Sequence, residues 1–579
     1  MGFAVGQTMD SDLEIARQAE LLPIREVAES IGLDRDDLRL HGPHIAKVNW
    51  ARLKQSRGSG KGKLILVTSV NPTPFGEGKT VTTIGLNQGL NRSGKKSCCV
   101  IREPSMGPVF GIKGGAAGGG YSQVLPMEDI NLHFTGDLHA VSMAHNLLSA
   151  MLDNHLNKGN DLNIDTDSVF WPRVMDMNDR SLRSITIGQG AKVNGPIRRD
   201  RFDITAASEV MAILALSMDY RDLRERLGRI VVASNMDGAP VTADQLNAGG
   251  AMALLLRDAF LPNLVQTLEG DPAFIHCGPF ANIAHGNSSV IADSIALSTC
   301  EYVVTEAGFG ADMGAEKALQ IKSDSSGVLP DCIVLNVTVR SMKLHGGAFG
   351  AKGSRRPTSE ELATENVEAT SIGASTNLAR HLTNLTGTGI PVVVSINRFS
   401  TDTDRELSSI KDVALASGAR EVVLFEGHGK GGEGAVELAR SVLESVESHV
   451  SAGRPYNPLV SRDASILEKI STIGTELYGA DSVKFPEEVL MAVKRIESWG
   501  YGGLPVCMAK TQYSFSHRAD LLGAPTGYEL PIREVRLNAG AGFVVVICGS
   551  MMTMPGLPTV PGAAGMDIDE EGQLFGVFG

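Results

Sequence analysis

The chain has 579 residues, of which 42% are hydrophobic and 21% charged, a composition typical of globular proteins with large buried cores. Its 66 acidic and 53 basic residues leave a formal net charge of −13, which disfavours a general nucleic-acid-binding or anionic-membrane-binding surface. The seven cysteines form no C-x-x-C pair and indicate neither a disulfide framework nor a zinc site, and no apolar run is long enough for a membrane span. We therefore expect a cytoplasmic protein of several domains, without nucleic-acid or membrane partners.

The most informative stretch of the chain is an apolar run at residues 64–70 followed by a glycine-containing turn. The aliphatic and β-branched residues of the run predict a strand that is covered on both faces. Apolar spacing over residues 81–90 predicts a helix directly after the turn, and residues 98–101 predict a second strand. A turn between a strand and a helix N-terminus is the usual place for bound phosphate, so this βαβ unit predicts a nucleotide-binding site.

The predicted phosphate loop contains eight candidate nucleotide-binding residues, namely Thr73, Pro74, Phe75, Gly76, Glu77, Gly78, Lys79 and Thr80. The two glycines let backbone N–H groups approach an anion, while Lys79 supplies positive charge and Thr80 offers a hydroxyl to Mg²⁺. The loop departs from the pattern G-x-x-x-x-G-K-[ST] at Thr73, which replaces the first glycine. Gly-Lys-Thr alone often marks only a turn, but its position within a βαβ unit favours nucleotide binding.

Arg102 follows the second predicted strand, and the βαβ unit is expected to place it at a neighbouring strand end beside the phosphate loop. Its forked guanidinium could bind a carboxylate or a phosphoryl oxygen bidentately. The alternatives are a surface ion pair for Arg102 and a flexible linker for the glycine-rich residues 111–120. Three apolar residues in or directly before that segment, Val109, Phe110 and Ile112, disfavour the linker.

Acids and histidines are concentrated in residues 127–139, which could bind a metal, bind a substrate or do neither. The spacing of His133 and His139 is not that of a zinc-binding helix, so we expect these two side chains to have structural roles. Asp137 follows Thr-Gly, and a short carboxylate in a tight turn is well placed to orient an amine or a metal-bound water.

Further apolar runs recur along the chain, each followed by glycine or polar residues and then by a helical pattern. They lie at residues 230–233, 302–304, 332–335, 391–394, 422–425 and 543–547. Strands that alternate with helices predict parallel sheets, whose ligands bind beyond the carboxyl ends of the strands. We predict an α/β fold with a parallel sheet core like that of P-loop NTPases and additional α/β domains.

Long motifs over almost the whole chain resemble those of the formate–tetrahydrofolate ligase family, also called 10-formyltetrahydrofolate synthetases. They lie at residues 73–80, 102–121, 126–137, 201–211, 306–312, 339–347, 397–399, 430–434 and 552–558. The resemblance implies an enzyme of one-carbon metabolism that phosphorylates formate with MgATP. The N10 amine of tetrahydrofolate then attacks the resulting formyl phosphate.

The resemblance also implies roles for individual residues. Lys79 and Arg102 are expected to bind formyl phosphate as well as nucleotide, and Asp137 to orient the amine. Phe309 and Phe399 are expected to line a pterin or purine pocket. His428 stands where the family commonly has tryptophan, so ring stacking is expected to differ there.

The same resemblance implies a homotetramer, tetrahydrofolate as co-substrate and a response to a monovalent cation. We expect a monofunctional ligase, because the phosphate loop lies so near residue 1. The predicted domains are a nucleotide-binding core (1–120 with about 285–365), an inserted α/β domain (about 121–284) and a C-terminal α/β domain that contributes to the folate site (about 366–579). The alternative function is that of a P-loop ATPase acting as a partner-regulated switch.

Overall fold

The fold is built on one large sheet, seen in a computed structural model that describes residues 11–56, 60–74, 76–111, 117–350 and 357–576. Within these residues the sheet has twelve strands, and its central strands all run parallel. In chain order these parallel strands are β1 (Lys63–Ser69), β2 (Ser97–Ile101), β3 (Pro272–Ile275), β4 (Tyr302–Glu306), β5 (Cys332–Val337), β6 (Val392–Asn397) and β7 (Glu421–Phe425).

The order of the parallel strands across the sheet is β3-β2-β4-β1-β5-β6-β7. The strand β1, which leads into the phosphate loop, therefore lies in the middle with a parallel partner on each side. Antiparallel strands extend the sheet beyond β3 at Leu38–Leu40, Ala46–Val48, Gly118–Gly119, Ser122–Leu125 and Asn263–Thr267.

Side chains on opposite faces of the sheet enter separate hydrophobic cores. In β1, Ile65 and Val67 belong to one core cluster, whereas Leu66 belongs to another. This alternation follows from the period of two along a strand, and it explains why the sequence of β1 is apolar throughout.

Helices flank the strands along most of the chain. The α-helices are Asp12–Gln18, Ile24–Ser30, Trp50–Ser56, Lys79–Arg92, Met106–Phe110, Met127–Asn131, Asp137–Asn157, Glu209–Leu216, Tyr220–Arg229, Gly249–Leu255, Val290–Thr299, Ser323–Ser326, Val339–His345, Ser359–Ala363, Val367–Gly373, Ala379–Thr386, Asp404–Ala416, Gly427–Lys430, Val436–Ser451, Ile466–Thr472 and Glu487–Ser498. Wider π-helical turns occupy Ala311–Ala315, Ala318–Lys322, Ala374–Leu378 and Ile473–Leu477. Among the described residues, none of the helices is both long and apolar enough to cross a membrane.

A second sheet lies near the C-terminus and packs against two cores. Its strands, in spatial order, are Ser482–Lys484, Glu529–Asn538, Phe543–Cys548 and Val506–Ala509. Val545 and Ile547 enter the core cluster that also contains the helix Glu209–Leu216, whereas Val544 and Val546 enter a separate C-terminal cluster. The predicted strand at 543–547 is thus confirmed.

The mixed α/β class with a large, mainly parallel sheet is confirmed, while assignment of the core to the P-loop NTPase type stays a prediction. The apolar run at 230–233 forms part of a separate two-stranded antiparallel sheet, Val231–Ser234 with Pro240–Thr242, outside the main sheet. The domain boundaries stay predictions as well. Two strands from the predicted C-terminal domain, β6 and β7, lie in the same sheet as β1.

The helix Lys79–Arg92 packs closely against its neighbours through Gly85. A methyl group added at this glycine would lie 2.7 Å from Cζ of Phe425 and 2.8 Å from Oγ of Ser122. We expect Gly85→Ala to lower the thermal unfolding midpoint, because overpacking costs about 1–3 kcal/mol and outweighs the gain of up to about 1 kcal/mol in helix propensity. Gly503→Ala is the control, since a methyl group there meets no atom within 4 Å. An unchanged or raised midpoint for Gly85→Ala would contradict the packing argument.

Candidate active site

The predicted phosphate loop lies between the carboxyl end of β1 and the helix Lys79–Arg92. Gly76 and Gly78 have left-handed backbones, with φ of 78° and 70°. A Cβ atom at Gly78 would lie 2.3 Å from Nδ2 of Asn397, so both its conformation and its surroundings require glycine there. Phe75, one of the predicted nucleotide-binding residues, lies outside the described residues.

Hydrogen bonds of the buried residue Glu77 stabilise the loop. One oxygen of its buried carboxylate accepts a hydrogen bond from the Thr73 N–H at 2.7 Å, and the other accepts one from the Thr338 hydroxyl at 2.7 Å. Its backbone carbonyl accepts hydrogen bonds from the side-chain amides of Asn336 and Asn397. These contacts fix the loop to residues at the ends of β5 and β6, an arrangement that the sequence alone did not indicate.

The carboxylate of Glu306 contacts both the phosphate loop and Arg102. The Thr80 hydroxyl donates to Oε2 of Glu306 at 2.8 Å, and a terminal nitrogen of Arg102 lies 3.6 Å from Oε1. Glu306 is the last residue of β4, which lies between β1 and β2. The prediction that Arg102 follows a strand directly beside β1 is therefore wrong. Arg102 follows β2, and β4 lies between β2 and β1 and pairs with each of them. Glu306 connects the two groups across that gap.

Arg102 retains donors that are available to a ligand. Another terminal nitrogen donates to the Pro279 carbonyl at 3.3 Å, and 24% of the side chain is exposed. Its buried Nε has no hydrogen-bond partner within the part of the chain that the structure describes. Lys79 is the first residue of its helix and is partly exposed, so it adds positive charge at the helix N-terminus, where the dipole also favours an anion.

The predicted stacking residues Phe309 and Phe399 are both partly exposed. Phe309 has a positive φ of 59°, which is strained for a bulky residue and common at functional sites. The guanidinium of Arg340 lies 3.7 Å from the ring centroid of Phe399. Sequence reasoning did not assign a role to Arg340, because Arg340 follows β5 whereas Phe399 follows β6, and the two are far apart in the chain. One face of the Phe399 ring is thus already covered.

His428 lies in a different setting from the two phenylalanines. About half of its side chain is exposed, and its Nε2 lies 3.7 Å from a carboxylate oxygen of Asp12. Its backbone carbonyl accepts a hydrogen bond from the Tyr121 N–H, and a Cβ atom at Gly120 would collide with that carbonyl at 2.0 Å. His428 therefore packs against the end of the glycine-rich segment.

Asp137 is part of a buried ion pair. The Lys47 ammonium donates to both of its carboxylate oxygens, at 2.8 and 2.9 Å, and the Asn263 amide donates to one of them at 2.9 Å. Lys47 also donates to the Leu261 carbonyl, and both charged side chains are almost inaccessible. The structure places this predicted catalytic residue inside the protein, where it links the helix Asp137–Asn157 to the antiparallel strands.

A buried polar network holds Asn71, which follows the end of β1 at Ser69 after a single intervening residue. The Asn71 N–H donates to Nε2 of His381 at 3.1 Å, and Nε2 of His345 donates to the Asn71 carbonyl at 3.0 Å. The Asn71 amide donates to Asp312, whose other oxygen is 2.6 Å from the Lys510 ammonium. Burial lowers the pKa of His381 to about 3, so this imidazole is neutral and able to accept.

Comparisons with known proteins agree with the motifs described above. Residues 10–578 match a family model described as formate–tetrahydrofolate ligase. A protein of that name from Roseiflexus castenholzii is 53% identical over 569 residues, which cover 98% of this chain and 100% of the relative. Another of the same name, from Dinoroseobacter shibae, is 53% identical over 568 residues, with 98% and 100% covered.

The buried His381 predicts acid sensitivity. Because its folded pKa of about 3 lies below the ordinary value of 6.5, the unfolded chain binds the proton first as the pH falls. Its contribution to stability is therefore complete above pH 6.5 and decreases from there toward pH 3, by up to about 1.4 kcal/mol per pH unit. We expect the thermal unfolding midpoint of His381→Gln to fall less steeply over this range than that of the unmodified protein.

The control for this measurement is His139→Gln, which changes an exposed histidine and should leave the pH profile unaltered. Parallel profiles for His381→Gln and the unmodified protein would contradict the proposed neutral state of His381.

Proposed function

Because the chain belongs to the formate–tetrahydrofolate ligase family, we propose that it joins formate to tetrahydrofolate with consumption of ATP, giving 10-formyltetrahydrofolate, ADP and phosphate. It is an enzyme, an ATP-dependent ligase. The observation that supports this reaction most strongly is the contact of one carboxylate, that of Glu306, with both Thr80 and Arg102. A nucleotide phosphate at the loop and a carboxylate at Arg102 would then be close enough to react.

The proposed first step is attack of a formate oxygen on the γ-phosphorus of ATP. A P–O bond to formate forms while the bond to the ADP oxygen breaks, giving formyl phosphate and ADP. Both reactants are anions, so the step requires positive charge and ordered N–H donors around the phosphoryl group. We assign the positive charge to Lys79 and Arg102. We assign the N–H donors to the backbone of the phosphate loop, which hydrogen bonds of Glu77 stabilise.

In the second step the N10 amine of tetrahydrofolate attacks the formyl carbon. An N–C bond forms while the C–O bond to phosphate breaks, so phosphate leaves with one oxygen that came from formate, and the amine proton is released to phosphate or solvent. We propose Phe309 and Phe399 as the surfaces that hold the flat ring system, with His428 at the margin of that pocket. The sequence predicts that Asp137 orients the amine. Its pairing with Lys47 favours a role in supporting the fold instead.

The nucleotide is expected to bind as its Mg²⁺ complex, and the cation supplies charge neutralisation at the phosphates. The residues present fit such a group, because Thr80 places a hydroxyl oxygen in the first turn of a helix whose N-terminus faces the loop. We propose Thr80 as one ligand. Assembly as a homotetramer and a response to a monovalent cation are proposed from the family resemblance alone.

The alternative prediction, a partner-regulated P-loop switch, finds no support in the comparisons. The two functions differ in what ATP turnover requires. A switch would hydrolyse ATP without formate or tetrahydrofolate, whereas the ligase needs both for sustained release of ADP.

We expect Lys79→Ala and Arg102→Ala each to lower formyl transfer by about 10²–10³-fold, since each removes a charge that stabilises the transferring phosphoryl group. The assay measures ADP release with ATP, formate and tetrahydrofolate, omitting each substrate in turn. Lys411→Ala, at an exposed position on the helix Asp404–Ala416, is the charge-matched control and should keep full activity. Thermal unfolding midpoints show whether each variant is folded. Full activity of folded Lys79→Ala and Arg102→Ala would contradict the assigned roles.

A further inference from the structure

We propose that Glu306 is a second protein ligand of the divalent cation that binds with the nucleotide, alongside Thr80. This inference rests on the proposed function, because it requires ATP in the phosphate loop. It extends that function by assigning to Glu306 a role that neither the motif nor the family resemblance indicated.

The spacing of the two oxygens matches that of adjacent magnesium ligands. Oγ1 of Thr80 and Oε2 of Glu306 are 2.8 Å apart. Magnesium binds oxygen at about 2.0–2.1 Å in octahedral geometry, so ligands that occupy adjacent corners are about 2.9 Å apart. The two oxygens can thus become adjacent ligands with little movement, once the threonine proton turns away from the carboxylate.

The carboxylate is also held where a nucleotide cation would be. Glu306 ends β4, directly beside β1, and Val67 of β1 lies opposite it in the parallel register. Its backbone carbonyl accepts a hydrogen bond from the Asn287 amide at 3.1 Å. A carboxylate at the end of the strand next to a phosphate-loop strand lies at the edge of the sheet where ligands bind.

Glu306 is a buried carboxylate whose contact with a positive charge is long. Its side chain is only 5% exposed, and the guanidinium of Arg102 lies 3.6 Å away, too far for a good hydrogen bond. Burying a carboxylate is costly unless a nearby positive charge compensates it. A divalent cation at Oε2 would provide that charge, and it prefers hard oxygen ligands such as carboxylate and hydroxyl.

The two carboxylate oxygens then have separate partners. Oε2 faces Thr80 and the proposed cation, whereas Oε1 faces Arg102. Cation binding would therefore leave the contact with Arg102 in place. By this arrangement Glu306 connects the cation of the nucleotide to the arginine that we assign to formate.

The test measures how strongly Mg²⁺ increases the affinity for ATP. The ATP dissociation constant is determined without formate or tetrahydrofolate, once with excess Mg²⁺ and once with a chelator, and the ratio of the two constants reports the coupling. We expect Glu306→Gln to reduce this ratio at least about tenfold relative to the unmodified protein. Metal-free ATP should bind to this variant as well as before or more tightly, because a negative charge has been removed.

The matched control is Glu209→Gln, which replaces another buried carboxyl group by an amide of the same shape. Glu209 accepts hydrogen bonds from the Gly540 and Ala541 N–H groups, and burial raises its pKa to about 8. The ratio for this variant should equal that of the unmodified protein. Glu306→Asp, which keeps a shorter carboxylate, should give a ratio between those of the unmodified protein and Glu306→Gln, and it serves as the decisive variant if Glu306→Gln does not fold.

An unchanged ratio in folded Glu306→Gln or Glu306→Asp would overturn the inference. So would a variant whose formate affinity falls while the ratio stays constant, because Glu306 would then only position Arg102. Failure of the unmodified protein to bind ATP at all would overturn the proposed function together with the inference. Failure of the inference alone is distinguishable, because the unmodified protein would then still bind ATP.

Discussion

The candidate active site depends on one contact, the carboxylate of Glu306 between Thr80 and Arg102. The parallel strand β4 lies between β1 and β2, and it carries this acid at its carboxyl end. Without that strand, the phosphate loop and Arg102 would belong to the ends of two separate strands with nothing to link them. Because β4 pairs with both neighbours along its length, the distance between the loop and Arg102 is fixed by the sheet itself.

Around this contact the loop is held in a preformed shape. Glu77 ties it to the ends of β5 and β6, and Asn71 joins it to a buried network that reaches Lys510 near the second sheet. Buried, hydrogen-bonded groups of this kind are costly to rearrange. In enzymes generally, hydrogen-bond donors that are already in place need no reorganisation when charge develops in a transition state, and this is a main source of electrostatic catalysis.

The parts of this site that are local in sequence could be predicted from it. The strand β1, the glycine turn and the helix Lys79–Arg92 follow from apolar spacing and from glycines that the backbone requires. The adjacency of β1 and β2 was wrong, because strand order depends on pairing with β4, which lies about two hundred residues later in the chain. The ion pair of Asp137 with Lys47 and the stacking of Arg340 on Phe399 are likewise invisible in sequence, since each joins distant segments.

The central claim is that formate and the γ-phosphate meet at one place and react there to give formyl phosphate. It is tested most directly by supplying formate labelled with ¹⁸O at both oxygens, together with ATP and tetrahydrofolate, and by analysing the released phosphate by mass spectrometry. The mechanism predicts one ¹⁸O atom in each phosphate, because the oxygen that attacks phosphorus leaves with it. Phosphate without label, with 10-formyltetrahydrofolate still formed, would contradict the mechanism.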